Sequence, residues 1–410
     1  MKILHTADWH LGKKLFDKSR AQEQKDVLEE IISIATNENV DLILVAGDLF
    51  DTFTPSAEAE DLLYSTLKTL SDGGRRPVIA IAGNHDNPDR IEAQDHFARE
   101  CGIVFTGYPT TIVNPFQLSC NARVIRTAPG FVELRLPDHA APVRILLTPY
   151  ANETRMRRFL GIDQADDELR QHLHTHWQQL ADQYMDEEGV NLLVAHLFFM
   201  KRDGEQPEEP EEERSILQVG GASMIFTDLI PAQVQYAALG HLHRYQSLDG
   251  GPCPVIYSSS PLAYSFAEAD QQKYVVLIDA VPGQPVSYQP VPLTKGRRLL
   301  RKRFTQLTDA IEWLTANPDC FPEVTLQTET YLTSEERQQL ARSHDRLVAI
   351  IPDIRPEAGE PTAESAGSQI DLTQSMTDLF TGYFKTQKKN QVPNERLLDL
   401  FKEVLNTTIE

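Results

Sequence analysis

The sequence predicts an α/β protein: a four-layer sandwich of two β-sheets flanked by helices, followed by a small α/β module and a helical C-terminal tail. Strand and helix signals alternate over the first hundred residues, which is the pattern of a β-α-β series. From about Val104 to Tyr150 the strands shorten and are separated by Pro, Asn and Gly, which predicts an antiparallel second sheet. Polar residues able to bind metal recur directly after apolar runs, as they do where an open α/β sheet gathers its ligands at one edge.

Taken in order, Ile3-Leu4-His5-Thr6 reads as a strand, Gln22–Thr36 as an amphipathic helix and Asp41–Ala46 as a buried strand. A helix over Ala57–Leu70, a strand over Pro77–Ala82 and a helix over Asp89–Glu100 continue the series. Val143–Leu147 belongs to the second sheet, Asp166–Glu187 is helical, and Val190–Ala195, Gln235–Leu239 and Val255–Ser258 are further strands. Beyond Tyr274–Asp279, the prolines Pro282, Pro285, Pro290 and Pro292 mark a boundary, so the first domain is placed at residues 1–280. Lys295–Ile351 then reads as strand, helix (Asp309–Ala316), strand (Glu323–Thr330), helix (Ser334–Ser343), strand, giving a compact module within 281–355. A Pro/Glu/Gly/Ser-rich linker at 356–369 leads to two amphipathic segments, Asp371–Lys385 and Asn394–Asn406, within 370–410.

The 410 residues, 41% of them hydrophobic, suffice for one large core and a smaller second one. A strand begins at Lys2, and no apolar run approaches a membrane span, so a cytoplasmic location is expected. Cys101, Cys120, Cys253 and Cys320 are scattered without paired spacing and are expected to be simple buried thiols. A formal net charge of −21 excludes general affinity for a polyanion, so any nucleic-acid contact must be local. Arg155/Arg157/Arg158, Arg75-Arg76 and Lys295–Arg303 are the candidate basic clusters, each of which also reads as an ordinary solvated surface. The acidic stretch Asp203–Arg214, with two prolines, reads as a solvated loop.

Five ligand-rich segments follow strands: Asp8/His10, Gly47-Asp48, Asn84-His85-Asp86, His196 and His241/His243. Asp8 and His10, at i and i+2, would share a side of an extended backbone. Two divalent cations about 3.5–4 Å apart need a shared anionic ligand and several oxygen or imidazole ligands, and Asp48 is placed to be shared. Imidazole, carboxylate and amide oxygen without thiolate suit Mn²⁺, with Fe²⁺, Zn²⁺ and Mg²⁺ as alternatives. Asn84 offers a neutral carbonyl ligand, and the adjacent His85 would point elsewhere, toward a scissile phosphate. Asp86 and Asp51 read as groups that orient their neighbours.

This order of motifs resembles the calcineurin-like metallophosphoesterases. The match is closest at Ile3–Gly12, Val45–Asp51, Ile81–Asp86 and Ala238–His243, where the chain looks like the nuclease subunits of bacterial double-strand-break repair complexes. The resemblance implies a metallophosphoesterase β-sandwich over about residues 1–280, a DNA-binding capping domain and a helical tail. It also implies that Asp8, His10, Asp48 and His243 surround one metal and Asp48, Asn84, His196 and His241 the other, leaving His85 for catalysis. Its implied activity is metal-dependent hydrolysis of DNA ends, hairpins and single strands by a homodimer. Its implied partner is an SMC-like ATPase, in a heterotetramer. The chain itself has no Gly-x-x-x-x-Gly-Lys-Ser/Thr loop. Leu62, Leu63, Leu67, Ile91, Phe97 and Ala98 are the expected dimer surface, and the apolar stripes of the tail the expected site for the ATPase. Two other readings stand beside this one: a phosphoesterase for small phosphodiesters or monoesters, and a non-catalytic DNA-tethering scaffold.

Overall fold

The computed structural model describes residues 1–151, 155, 166–204, 224–328, 332–354, 380 and 397–398. Its strands are β1 (Lys2–Thr6), β2 (Lys14–Leu15), β3 (Lys18–Ser19), β4 (Leu42–Ala46), β5 (Val78–Ile81), β6 (Ile103–Thr106), β7 (Arg123–Ala128), β8 (Phe131–Arg135), β9 (Val143–Thr148) and β10 (Val190–His196). They continue as β11 (Phe199–Met200), β12 (Ile225–Phe226), β13 (Tyr236–Gly240), β14 (Gln246–Leu248), β15 (Val255–Tyr257), β16 (Tyr274–Asp279), β17 (Ser287–Pro292), β18 (Arg298–Phe304), β19 (Cys320–Thr328) and β20 (Ala349–Ile354). The helices are α1 (Ala21–Asn37), α2 (Ala57–Leu70), α3 (Pro88–Glu92), α4 (Asp95–Glu100), α5 (Asp166–Tyr184), α6 (Leu307–Ala316) and α7 (Ser334–Ser343).

A first sheet runs β17-β16-β1-β4-β5-β6, and a second β14-β15-β13-β10-β9-β8-β7. Period-two alternation along the strands builds the layers. On β4, Leu42, Leu44 and Ala46 join Leu192, Val194 and Ala238 of the second sheet in one core, while Ile43 and Val45 face a separate core with α1 and α2. On β10, Leu193 and Ala195 turn the other way, onto Leu173, Trp177 and Ala181 of α5. Helix, sheet, sheet and helix therefore stack in four layers, as the sequence predicts.

The second sheet is antiparallel over the stretch that predicted it, β7-β8-β9, and mixed as a whole. β9, β10, β13 and β15 are mutually parallel, and only β7, β8 and β14 run against their neighbours. Connections long enough to hold α5 let these strands return in the same direction. The helix expected over Asp89–Glu100 is two, α3 and α4, broken at Ala93-Gln94. The prolines placed at the domain boundary have another role. β17, beyond residue 280, is the edge strand of the first sheet, where Pro290 and Pro292 can sit because one side of the strand needs no donor.

β18, β19 and β20 form a parallel sheet with α6 and α7 connecting them. The chain divides into two compact units, Met1–Ile354 and Arg355–Glu410. The expected linker 356–369 and acidic stretch 205–214 lie outside the described residues, as does the tail apart from Phe380, Leu397 and Leu398, which are helical. Of the six expected dimer residues, Leu63, Leu67, Ile91 and Ala98 bury against their own sheet and Leu62 packs on the same core. Phe97 alone is well exposed, at 75%. Among the cysteines, all free, only Cys320 is fully buried, so the expectation of buried thiols fails for Cys101, Cys120 and Cys253. Among the described residues no helix is long and apolar enough to cross a membrane.

Candidate metal centre

β1, β4 and β5 are parallel in one sheet, and β10 and β13 are parallel in the other, so their C-terminal ends gather the residues that follow them. The loops then zip together. The Asp8 amide donates to Gly47 O at 3.0 Å, His10 to Asp48 O at 2.9 Å and Leu11 to Leu49 O at 3.0 Å. The extended backbone expected for Asp8–His10 is not found. Asp8 (φ 55°), His10 (φ 44°), Asp48 (φ 47°) and His241 (φ 106°) all take left-handed conformations rare for side-chain-bearing residues. Such strain persists where surrounding structure enforces it, and here four of the candidate ligands carry it.

Three glycines make this convergence sterically possible. A Cβ on Gly47 would fall 2.1 Å from His196 Nδ1, one on Gly83 2.1 Å from Asp48 Oδ1, and one on Gly240 1.9 Å from Ala46 O. Gly47 and Gly83 thus leave the space that the His196 and Asp48 side chains occupy, and Gly240 that of the Ala46 carbonyl.

The structure brings every predicted site residue into one cluster. Asp48 Oδ2 lies between two imidazole edges, 3.5 Å from His10 Nε2 and 3.4 Å from His196 Nε2. His10 Nε2 faces His243 Nε2 at 2.9 Å, with Asp8 beside them. On the other side, Asn84 Oδ1 lies 3.0 Å from both His196 Nε2 and His241 Nδ1. His196 Nδ1 donates to Ala46 O at 2.8 Å, which fixes the tautomer and leaves the Nε2 lone pair facing the cluster. His85 follows a different direction: its Nδ1 donates to Asp51 O at 2.8 Å, while its amide donates to Asp48 Oδ1 at 2.8 Å.

This arrangement fits divalent cations. Asp8 and Asp48 are buried, and among the described residues neither forms an ion pair with lysine or arginine. Burial pushes Asp8 up to about 6. Asp48 feels the same burial, but His196, His10 and His85 overcome it and hold the carboxyl well below its ordinary range. His196 in turn is raised to about 9, since Asp48 and Asp8 outweigh its burial. Burial pushes His241 down to about 3 and His10 well down, so both present neutral nitrogens. Imidazoles, two of them held neutral, gathered around buried carboxylates are what a cation pair completes. Asp8/His10/His243 and Asp8/Asp48/His196 each place ligand atoms within 4.8 Å of one another, so the chain has a candidate dinuclear divalent-metal site.

The residues behind the cluster are only partly those foreseen. Asp86 accepts from the amides of Leu49 (3.0 Å), Phe50 (2.9 Å) and Gly83 (2.8 Å), tying the Asp48 loop to the Asn84 loop as an orienting group. Asp51 meets Lys13 at 2.8 Å and lies 3.7 Å from His10 Nδ1. Glu268, Lys273 and Tyr264 were not foreseen. Glu268 lies in a Ser265-x-x-Glu268 capping box, a pattern that reads as a helix start and gives no sign of His243, 3.5 Å away.

The basic clusters also divide. Arg155, half-buried, donates to Gly83 O at 3.1 Å and Asp86 O at 2.8 Å, so it braces the Asn84-His85 loop. Residues 157 and 158 lie outside the described residues. Arg75 and Arg76 precede β5, at the edge of the first sheet opposite the centre, and Arg76 is buried. Arg298, Arg301, Lys302 and Arg303 on β18 are exposed.

Two sheets meeting at a buried cage of carboxylates and imidazoles define a metal-dependent phosphoesterase, a hydrolase. The Calcineurin-like phosphoesterase family matches residues 1–245. The chain is 34% identical over 410 residues to the SbcD component of nuclease SbcCD from Bacillus subtilis (strain 168), covering 98% of this chain and 97% of that protein. Proteins of the same name from Rhodobacter capsulatus and Staphylococcus epidermidis are 32% and 30% identical, over 71% and 73% of this chain and 69% and 71% of theirs. The chain belongs to the calcineurin-like phosphoesterase family, in its SbcD nuclease branch.

Proposed function

We propose that this chain is the nuclease subunit of an SbcCD-type complex, a metal-dependent phosphodiesterase that hydrolyses DNA. It would act as a 3′–5′ exonuclease on double-stranded ends and as an endonuclease on single strands and hairpins. The observation that carries the proposal is Asp48 Oδ2 set between His10 Nε2 and His196 Nε2, at 3.5 and 3.4 Å, the place of a ligand shared by two cations. Asp8, His10, Asp48 and His243 would hold one Mn²⁺, and Asp48, Asn84, His196 and His241 the other. The ions, when bound, supply positive charge at the phosphate and lower the pKa of a nucleophilic water.

The protein's own groups do the rest. Asp86 and Arg155 fix the loop carrying Asn84 and His85 from either side. His85 is held through Nδ1 by Asp51 O, so its Nε2 is the edge left for substrate, where it would stabilise the transition state or protonate the departing sugar oxygen. The exposed basic residues of β18 would contact the DNA backbone without reading bases. The partner in this reading is SbcC, the SMC-like ATPase, in a heterotetramer built on a homodimer of this chain. The dimer rests on the resemblance, because four of the six residues expected at its surface are buried.

One assay tests the reaction: purified protein with Mn²⁺ on linear duplex DNA, single-stranded DNA and an aryl phosphodiester. DNA cleavage that chelation abolishes is expected, whereas turnover of the aryl ester alone would replace a DNA nuclease with a small-phosphodiester enzyme. His85→Ala should lower cleavage by roughly 10²–10⁴-fold with both ions bound. Asp48→Ala should lose metal. Cleavage by His85→Ala at the wild-type rate would remove His85 from the reaction, and full loading of Asp48→Ala would refute the shared ligand.

A further inference from the structure

His243 is a candidate ligand set against a buried charged pair. Its Nδ1 lies 3.5 Å from Glu268 Oε1, while its Nε2 faces His10 Nε2 at 2.9 Å. The Glu268 side chain is 1% exposed and fully engaged. Oε1 accepts from the amides of Tyr264 and Ser265, both at 3.1 Å, and Oε2 from Lys273 Nζ at 2.6 Å. Lys273 Nζ also donates to His243 O at 2.8 Å and Ser260 Oγ at 3.0 Å. The two ends of one buried ion pair therefore face one histidine: Lys273 bonds its main chain, and Glu268 stands at charge-contact distance from its ring nitrogen. A carboxylate at Nδ1 selects the tautomer that carries its proton there and leaves the Nε2 lone pair toward the candidate metal.

Glu268 sits on a short turn, Phe266–Glu268, whose other face is occupied. Phe266 packs in a cluster with Leu15 of the large sandwich and Leu299 and Phe321 of the small module. The Arg301 guanidinium lies 5.6 Å from the Phe266 ring centre, and that of Arg20 lies 5.0 Å from Phe321. The seat of the small module and the seat of Glu268 are thus the same three-residue turn.

We propose that Glu268 is a positioning residue for His243, and that the small module, through Phe266, sets how firmly it does so. The proposal rests on the reading of His243 as a metal ligand. It links the module that would touch DNA to the affinity of one of the two metal positions, and it needs no movement of the second position, built from Asn84, His196 and His241.

The test is calorimetric titration of metal-free, full-length protein with Mn²⁺. Wild type should take up two ions; if it does not, the reading of the site fails and Glu268 is not the cause. Glu268→Gln should weaken one ion by roughly 10–100-fold and leave the other unchanged, and kcat should recover when Mn²⁺ is raised, which a folding defect would not allow. Because Glu268→Gln leaves Lys273 buried without its partner, Glu268→Gln/Lys273→Met, which removes both charges, is measured beside it and should show the same selective loss. Wild-type affinity for both ions in either folded variant overturns the positioning role. Phe321→Ala, in the module, should weaken the same ion several-fold, and unchanged affinity there overturns the coupling to the module.

Discussion

Asp48 is fixed less by its own bonds than by the absence of a side chain at Gly83. A Cβ at residue 83 would sit 2.1 Å from Asp48 Oδ1 and 2.3 Å from its amide nitrogen, and Oδ1 cannot retreat without releasing the His85 amide, 2.8 Å away. Gly83→Ala should therefore displace Asp48, the proposed shared ligand, and His85, the proposed catalytic group, together, with a loss of metal affinity of roughly 100-fold. Mn²⁺ titration and cleavage measured on the same preparation check this, and a variant that loads two ions normally would show that the loop has slack the packing denies. The ligands were legible in the sequence because each falls in a short, local motif after a strand, Asp48, Asn84 and His241 directly behind a glycine. Glu268 was not, because 25 residues separate it from His243 and its own neighbourhood, Ser265-Phe-Ala-Glu268, has a complete local explanation as a capping box. Left-handed backbone at Asp8 and His10 was hidden for a related reason: residue spacing carries no record of φ, and i, i+2 convergence looks the same in a strand and in a turn.

At the level of elements, strand positions were readable from apolar runs, whereas strand direction depends on what lies between them. β1 and β13 also show that the two sheets are joined by more than apolar packing. His5 of β1 reaches across the sandwich, its Nδ1 3.1 Å from Tyr236 Oη and its Nε2 3.1 Å from Leu239 O, both on β13. Burial pushes His5 down to about 3, from 6.5 in an open chain. The unfolded chain therefore binds a proton below 6.5 that the folded chain refuses until about 3. The stabilisation is fully present above that window and is lost as pH falls through it, with a slope approaching about 1.4 kcal/mol per pH unit. Replacing His5 by Gln removes this titration, so urea unfolding of the metal-free protein between pH 6 and pH 4 should be less pH-dependent for His5→Gln than for wild type. Parallel pH profiles would mean that His5 is not the neutral strut described.

For the whole molecule, a net charge of −21 and a nuclease reading are compatible only if contacts are parcelled out to separate parts of the chain. The candidate metal centre lies at the edge where the two large sheets meet, and the exposed basic strand belongs to the small module. The partner, in the proposed function, belongs to the tail. There Leu372, Met376, Leu379, Phe380, Tyr383 and Phe384, then Leu397, Leu398, Phe401, Val404 and Leu405, recur at helical spacing after a Pro/Glu/Gly-rich stretch. Two segments with such apolar stripes on such a tether would suit a module that docks in a partner's groove, in the proposed function the base of the SbcC coiled coil. The proposed metal ligands and His85 all precede residue 244, so in this reading the tail supplies none of them. Deleting residues 370–410 should accordingly spare Mn²⁺-dependent cleavage of single-stranded DNA by the isolated subunit, while abolishing stable association with SbcC and the ATP-stimulated cutting of duplex ends. Cleavage assays without SbcC, and co-purification with it, separate the two effects. A truncated chain that still binds SbcC at unchanged affinity would place the partner's site on residues 1–369 instead.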